Sequence, residues 1–187
     1  MRRFLAPLWE IVEFVFIAFV AVFVIRNFLV QPFLVSGASM VPSYQHGDYL
    51  LIDELTYRVR EPLRGEVVVF RYPKDETVFF IKRIVGLPGE RVVIRGGKVW
   101  TGRDQSLVEL TEEYLSSAVV TAGALDLVLG PDDYFVLGDN RTNSFDSRTW
   151  GPISRKEIMG IARVRLYPFD KITAFSAPTY APEGGSE

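Results

Sequence analysis

The chain has no cysteine and a single histidine among its 187 residues. The lack of cysteine excludes disulfides, cysteine-based zinc or iron–sulfur sites and a cysteine nucleophile. A histidine metal site needs two or three imidazoles, or one with several well-spaced carboxylates, so we predict neither a metal nor a cofactor. His46 would also have to be the base of any Ser-His-Asp triad. It precedes Gly47-Asp48 in a polar stretch that is typical of a solvated turn.

The chain also lacks an excess of basic residues, because 21 Lys and Arg face 23 Asp and Glu, for a net charge of -2. Proteins that bind nucleic acid normally carry a basic patch, so we expect no nucleic-acid partner. Hydrophobic residues make up 48% of the chain. That share is enough for the core of one globular domain with an additional terminal segment, and we expect a monomer.

The first 35 residues differ in composition from the rest, and residues 1–30 are predicted to form a cytoplasmic N-terminus and a membrane anchor. Arg2 and Arg3 precede an uncharged apolar run from Phe14 to Ile25, and Arg26 follows it. The run alone is shorter than the ~20 residues that cross a bilayer, but it reaches that length if flanking charged side chains lie at the interface. We predict a single-pass transmembrane helix in the cell membrane, with the N-terminus in the cytoplasm and the remaining chain on the outer face.

Two other interpretations of this segment stay open. It could be a cleaved signal peptide, with Ser36-Gly37-Ala38 as a cleavage site of small residues, or a helix buried in the core. In each case Gln31-Pro32 predicts the end of the helix, because the residue before a proline is pushed out of the helical region.

Residues 31–177 are predicted to form one extracytoplasmic, mainly β domain with an antiparallel sheet. The predicted strands are Tyr49–Asp53, Val67–Tyr72, Val78–Val85, Arg91–Arg95, Lys98–Thr101, Tyr134–Leu137 and Ile161–Tyr167. Gly96-Gly97 predicts a hairpin turn, and capping-box spacing predicts a short helix over Ser154–Met159. Residues 102–130 are not assigned, with Leu110–Val120 either helical or irregular. The tail 178–187 is predicted to be disordered.

The strand Val78–Val85 carries one cation on each of two otherwise apolar faces, Lys82 on one and Arg83 on the other. An ordinary strand lysine extends its amine to the sheet edge. The alternative is that Lys82 is desolvated, which lowers its pKa and makes the amine a proton acceptor near neutral pH. Ser39, after the small residues Gly37 and Ala38, would be the nucleophile for such a base, although a loop serine alone is more often an ordinary hydrogen-bonded residue.

Four segments, taken in order, resemble the conserved boxes of the bacterial type I signal peptidases. They are Ser39-Met40-x-Pro42, Arg64 to Phe70, Lys82-Arg83 before Gly86 to Gly89, and Gly138 to Arg148. The resemblance covers about Gln31 to Pro168. It implies a largely β catalytic domain with a Ser-Lys dyad, which removes signal peptides from exported precursors after Ala-x-Ala-like sites. It also implies two partners, signal-peptide-bearing precursors and the lipid bilayer.

The resemblance further implies roles for individual residues. Ser39 matches the nucleophile and Lys82 the general base, Ser144 would orient the Lys82 amine, and Asp146 and Arg148 would hold the loop that carries Ser144. The backbone N–H of Ser39 would help to form the oxyanion hole. The positions that match the substrate-binding residues are Phe33, Val35, Gly37, Met40, Phe80 and Ile81.

Three neighbouring interpretations remain. A self-cleaving repressor-type protease shares the dyad, but the hydrophobic N-terminus and the lack of a basic helix-turn-helix argue against it. A processing peptidase dedicated to one substrate has no distinguishing feature in the sequence. An inactive, membrane-anchored protein that holds precursors would be indicated by the loss of Ser39 or Lys82, and both are present.

Overall fold

The computed structural model describes residues 2–24, 30–103, 106–178 and 180. Its helices are α1 (Arg2–Val24), α2 (Thr56–Val59) and α3 (Ser147–Trp150). Its strands are β1 (Val30–Leu34), β2 (Tyr49–Asp53), β3 (Val67–Tyr72), β4 (Asp75–Gly86), β5 (Arg91–Arg95), β6 (Lys98–Arg103), β7 (Ser106–Glu109), β8 (Leu125–Val128), β9 (Asp133–Leu137), β10 (Ile153–Ser154), β11 (Ile158–Tyr167) and β12 (Thr173–Ala174).

The strands form two antiparallel sheets. The larger has the order β1-β2-β11-β3-β4-β9-β10, and β12 pairs with β11 beside this path. The smaller has the order β7-β6-β5-β8. The prediction of a mainly antiparallel β domain is therefore confirmed, and β4, which carries Lys82, lies inside the larger sheet between β3 and β9.

The larger sheet is buried on both faces around its centre. Val67 and Val69 of β3 pack in one hydrophobic cluster, while Val68 and Phe70 pack in another on the opposite face. This explains why β3 is a continuous apolar run and does not alternate with polar residues. Full burial of each such side chain stabilises the fold by about 1.5–3 kcal/mol, so β3 and β4 provide a rigid base for the residues they carry.

A third cluster packs the smaller sheet against the larger one. Val85 of β4 and Phe135 of β9 contact Val92 and Ile94 of β5, and all four side chains are almost fully buried. The β5–β6 hairpin turns at Gly96 and Gly97, which have φ of 59° and 79°. That turn was predicted from the Gly-Gly pair, and the prediction is confirmed.

The prediction that Gln31-Pro32 ends the N-terminal helix is wrong. The described part of α1 ends at Val24, and both residues lie in β1, where Pro32 pairs with Leu51 of β2. Proline is tolerated here because β1 is at the edge of the sheet and has a neighbouring strand on one side only, so its missing N–H removes no hydrogen bond to a second strand.

The prediction of a helix over Ser154–Met159 is also wrong, because only a first turn is present. The capping box between Ser154 and Glu157 is present, but it closes a single 3₁₀ turn over Arg155–Glu157. Strand β11 then begins at Ile158, because its apolar side chains are buried against β3. Tertiary packing has overridden the local helix signal.

The unassigned region 102–130 contains β7 and β8, and Leu110–Val120 between them is irregular.

Among the residues that the structure describes, no helix is long and apolar enough to cross a membrane. The predicted helix is present as α1, 23 residues in length. Of the predicted disordered tail, only Pro178 and Tyr180 are described, and the rest of that prediction lies outside the described residues.

Candidate active site

The loop after β1 places Ser39 between two buried side chains. Val35 and Met40 are 2% and 1% exposed and belong to the core cluster that also contains Ile81. The loop is closed by backbone hydrogen bonds from Val35 N–H to Asp48 O (2.9 Å) and from Tyr44 N–H to Met40 O (2.9 Å). Ser39 itself is partly exposed. Its hydroxyl is therefore held by a packed loop and remains accessible.

Lys82 lies in the middle of β4, opposite Val68 of β3. The residue is 2% exposed, and its Nζ lies 2.7 Å from Ser39 Oγ and 2.9 Å from Ile81 O. Burial lowers the pKa of the Lys82 amine from its ordinary 10.5 to about 8, although the carboxylates of Asp146 and Asp139 offset part of this effect. A deprotonated amine is thus available near neutral pH within hydrogen-bond distance of a serine hydroxyl.

No carboxylate of the described residues lies within ion-pair distance of Lys82. The two that influence it are each paired with an arginine: Asp146 with Arg148 at 2.8 Å, and Asp139 with Arg83 at 2.6 Å. Each carboxylate accepts hydrogen bonds from its arginine, and among the described residues neither accepts one from Lys82. Because Lys82 gains no ion pair, desolvation dominates its titration.

The polar segment from Gly138 to Arg148 connects directly to the Ser39 loop. The backbone N–H of Asn140 donates to Ser39 O at 3.0 Å, and its side-chain Nδ2 donates to Ala38 O at 3.0 Å. Gly138 lies so close that a Cβ there would be 2.5 Å from Ser39 O. Only glycine fits this approach, so the two loops are set against each other within narrow limits.

Asp146 organises the second loop from inside. Its side chain is 0% exposed and accepts hydrogen bonds from Gly138 N–H (3.1 Å) and from Arg148 Nε (2.8 Å), and it caps α3. Arg148 also donates to Arg141 O at 2.8 Å. These contacts join both ends of the loop that carries Ser144.

The structure does not join Ser144 to Lys82 by a hydrogen bond. The Ser144 Oγ is buried and has no hydrogen-bond partner among the described residues. It lies beside Gly138, where a Cβ would be 2.1 Å from this oxygen. The orienting role of Ser144 therefore stays a prediction, although its hydroxyl lies in the loop that meets Ser39.

The substrate-binding residues inferred from the resemblance lie in three different environments. Three of them, Phe33, Phe80 and Ile81, line a cavity of about 80 Å³ together with Leu34, Ser36, Ser39, Phe79 and Lys82. Val35 and Met40 are instead buried in the core, and Gly37 is exposed with φ of 97°. This cavity opens directly at the Ser39–Lys82 contact.

His46, the other candidate base, is exposed and makes a different contact. Its Nδ1 accepts a hydrogen bond from the backbone N–H of Gly37 at 3.2 Å. Within the described ranges no hydrogen bond joins it to Ser39. Among those same residues, no group of three or more His, Asp or Glu side chains could hold a metal ion.

Sequence reasoning missed a second buried network on the opposite face of β4. Arg83 donates from Nε to Asp139 Oδ1 at 2.9 Å, and Ser43 Oγ donates to Asp139 Oδ2 at 2.6 Å. Arg83 also donates to Gly65 O at 2.8 Å. The sequence did contain a signal for this network. Two cations on opposite apolar faces of one strand must each be stabilised separately, and the carboxylates that can do so lie far away in the sequence.

Arg141 was also missed. This buried side chain donates to Gly138 O and forms an ion pair with Glu112 of the irregular segment between β7 and β8. It thereby ties the region that the sequence left unassigned to the loop that meets Ser39. A buried arginine in a polar loop has no local sequence signal, because its partner is distant along the chain.

Comparison with known proteins matches the chain to one family. Residues 8–167 match the family described as "Signal peptidase, peptidase S26". A probable signal peptidase I-2 of Synechocystis sp. is 40% identical over 155 residues, covering 79% of this chain and 68% of that protein. Signal peptidase I of Leptolyngbya laminosa is 32% identical over 186 residues, covering 92% and 86%. Signal peptidase I P of Bacillus subtilis subsp. natto is 32% identical over 171 residues, covering 86% and 90%.

Proposed function

Because this chain belongs to the signal peptidases of peptidase family S26 and removes signal peptides from secreted precursors, we propose that it does so with Ser39 as nucleophile and Lys82 as general base. The observation that carries the proposal is the 2.7 Å contact between Lys82 Nζ and Ser39 Oγ, with the amine buried. A nucleophile within hydrogen-bond reach of a base whose pKa lies near working pH is the requirement for acyl transfer.

In the first half of the reaction, the neutral Lys82 amine takes the Ser39 proton as Oγ attacks the scissile carbonyl. The carbonyl oxygen becomes an oxyanion, which the Ser39 backbone N–H stabilises. Collapse of this intermediate breaks the C–N bond, and the departing amine takes the proton from the Lys82 ammonium. The products are an ester on Ser39, a neutral Lys82 and the free N-terminus of the mature protein.

In the second half, water attacks the ester and gives a proton to Lys82. Collapse then breaks the bond to Ser39 Oγ, which recovers its proton from the ammonium. Asp146 and Arg148 hold the loop that presents Ser144 to the site, supported by their 2.8 Å ion pair. Ser144 orients the amine with its hydroxyl, which is buried and has no other partner among the described residues.

The site selects small side chains before the scissile bond. The cavity beside Ser39 measures about 80 Å³, and its walls include the rings of Phe33, Phe79 and Phe80. An extended substrate would lie along the edge of β1 as an added strand, with alternate side chains directed into the cavity. These features favour Ala-x-Ala-like cleavage sites.

The specificity test uses two precursors that differ at only two positions. One carries alanine at the first and third positions before the cut, and the other carries leucine at both. We expect the full chain in detergent to cleave the first and to leave the second uncut, as measured by mass spectrometry of the products. Equal cleavage of both precursors would contradict the proposed selection.

The activity should depend on pH with the sign that a neutral amine requires. Since the pKa of Lys82 is lowered to about 8, we expect kcat/KM to rise tenfold per pH unit below about 8 and to level off above it, which leaves roughly 1% of the plateau value at pH 6. A short fluorogenic peptide with an Ala-x-Ala site, assayed from pH 6 to 9, measures this. A profile that stays flat between pH 7 and 9 would contradict Lys82 as the base.

We further propose that α1 anchors the chain in the cell membrane, with the N-terminus cytoplasmic and residues 31–177 on the outer face. Trp9, Phe14, Phe16 and Phe19 of α1 are between 64% and 73% exposed and lie on several sides of the helix. From Phe14 to its end at Val24, α1 has no charged residue and is apolar on all sides, which requires an apolar surrounding.

The anchor is tested by washing membranes of expressing cells with alkaline carbonate. We expect the full chain to stay in the membrane pellet, and the double variant Phe16→Lys, Phe19→Lys to be released, because each charge at the helix centre costs about 2.5–3.5 kcal/mol. Release of the unmodified chain would refute the anchor.

A further inference from the structure

Four aromatic side chains form a cluster beside the site, made of Tyr72, Phe80, Phe145 and Trp150. Phe80 stacks on Trp150 at a centroid distance of 5.5 Å and an interplanar angle of 9°. Phe145 meets Trp150 edge to face at 4.6 Å, and Tyr72 lies 6.0 Å from Phe145. The cluster joins β3, β4, the loop of Ser144 and α3, so its rings are held from four directions.

Phe145 is the open side of this cluster. Its side chain is 50% exposed, whereas the other three rings are partly buried. It lies between Ser144 and the fully buried Asp146, which fixes the backbone beneath it. An aromatic ring held at the surface by three others gives an apolar platform with little conformational entropy left to lose.

The cluster is continuous with the Ser39–Lys82 site through Phe80. The Phe80 ring lies 5.4 Å from Lys82 Nζ, lines the cavity that contains Ser39, and is 6.3 Å from Phe145. In the proposed reaction the leaving amine takes its proton from Lys82. The first residue after the scissile bond therefore lies next to Lys82. Phe80 borders both the cavity for the residues before the bond and the aromatic cluster, so the cluster is an apolar surface within reach of the residues that follow the bond.

We propose that the aromatic cluster is a binding subsite for the first two residues after the scissile bond, and that Phe145 gives it a preference for aromatic and aliphatic side chains. The inference rests on the proposed function. Edge-to-face contact favours an aromatic ligand side chain, and the negative ring faces disfavour a carboxylate. The mature end of a precursor thus contributes to recognition, in addition to the small residues before the cut.

The experiment uses peptides that share one Ala-x-Ala half and differ only at the first two positions after the cut, with Phe, Leu, Ser or Asp at each. We expect the full chain in detergent to cleave the Phe peptides about tenfold more efficiently, in kcat/KM, than the Asp peptides. Phe145→Ala should reduce that ratio to near one, while Phe145→Tyr should keep it. Phe169→Ala is the matched control, because Phe169 is 77% exposed and outside the cluster.

The outcomes separate this inference from the function itself. If Phe145→Ala cleaves every peptide with the ratios of the unmodified chain, or if it loses activity equally on all of them, the subsite is wrong and the proposed function stands. If the unmodified chain cleaves none of the peptides or Ala-x-Ala precursors, the proposed function fails and the subsite fails with it.

Discussion

Replacing Lys82 by arginine should abolish cleavage although it keeps the positive charge. Arginine cannot be deprotonated in a protein, so the variant has a cation at the same place and no base. We expect kcat/KM to fall by about 10⁴-fold or more, the loss typical of removing one member of a catalytic group that acts as a unit. Lys82→Met, which replaces the amine by an apolar side chain of similar length, should lose as much.

The matched control is Lys74→Arg. Lys74 is exposed between β3 and β4, in the same hairpin as Lys82, and its replacement should leave kcat/KM unchanged. Thermal unfolding of each variant shows that the fold is intact. The result that would contradict the assignment is activity that survives in Lys82→Arg and disappears in His46→Ala, because the base would then be His46.

Replacing Asp139 by alanine should cause the largest loss of stability. Asp139 and Arg83 are 0% and 7% exposed, and the change leaves the Arg83 guanidinium buried without its carboxylate. Removing one partner of a buried ion pair typically costs about 3–5 kcal/mol. Urea unfolding of the full chain in detergent, followed by the fluorescence of its three tryptophans, measures the free energy of unfolding.

Two comparisons make this result specific. Asp126→Ala removes the carboxylate of the exposed Arg91–Asp126 pair and should change stability little. The double variant Arg83→Met, Asp139→Leu should recover much of the lost stability, because apolar replacement of a buried pair is often neutral. A small effect of Asp139→Ala alone would show that Arg83 finds another partner.

The two cations of β4 lie in opposite electrostatic environments. Arg83 stays charged because it forms a bidentate ion pair with Asp139. Lys82 is buried without an ion pair among the described residues. Period-two alternation alone separates them onto different faces. A shift of one residue in register would exchange the two environments, so the pairing of β4 with β3 and β9 is itself a condition for the chemistry.

The central strands were predictable because their signals are local. Val67–Tyr72 is a β-branched run, and Gly96-Gly97 marks a hairpin, so the sequence alone indicated β3, β5 and β6. Strands β1, β7, β8, β10 and β12 were not predicted. β1 contains a proline that an edge strand tolerates, and the burial along β7 and β8 is too slight to produce a continuous apolar pattern.

The site divides in a similar way. Ser39, Lys82 and Asp146 stand in segments whose resemblance to the family points to them. The contacts that set their geometry join residues far apart in the chain, such as Asn140 to Ser39 and Arg141 to Glu112. Such long-range partners follow from the sheet order, which no local pattern encodes. The structure of the irregular segment Leu110–Val120 could not be predicted for that reason, since it is stabilised by tertiary contacts and its sequence has no helix or strand periodicity.

The role of Ser39 is the central claim, and one measurement tests it most directly. The full chain in detergent and its Ser39→Ala variant are each incubated with a precursor that carries one Ala-x-Ala site, and intact-mass spectrometry identifies the products. We expect the unmodified chain to give the two fragments produced by cleavage after the second alanine, and the variant to leave the precursor uncut. The same cut made by Ser39→Ala would contradict the account, because no acyl intermediate on Ser39 would then be needed.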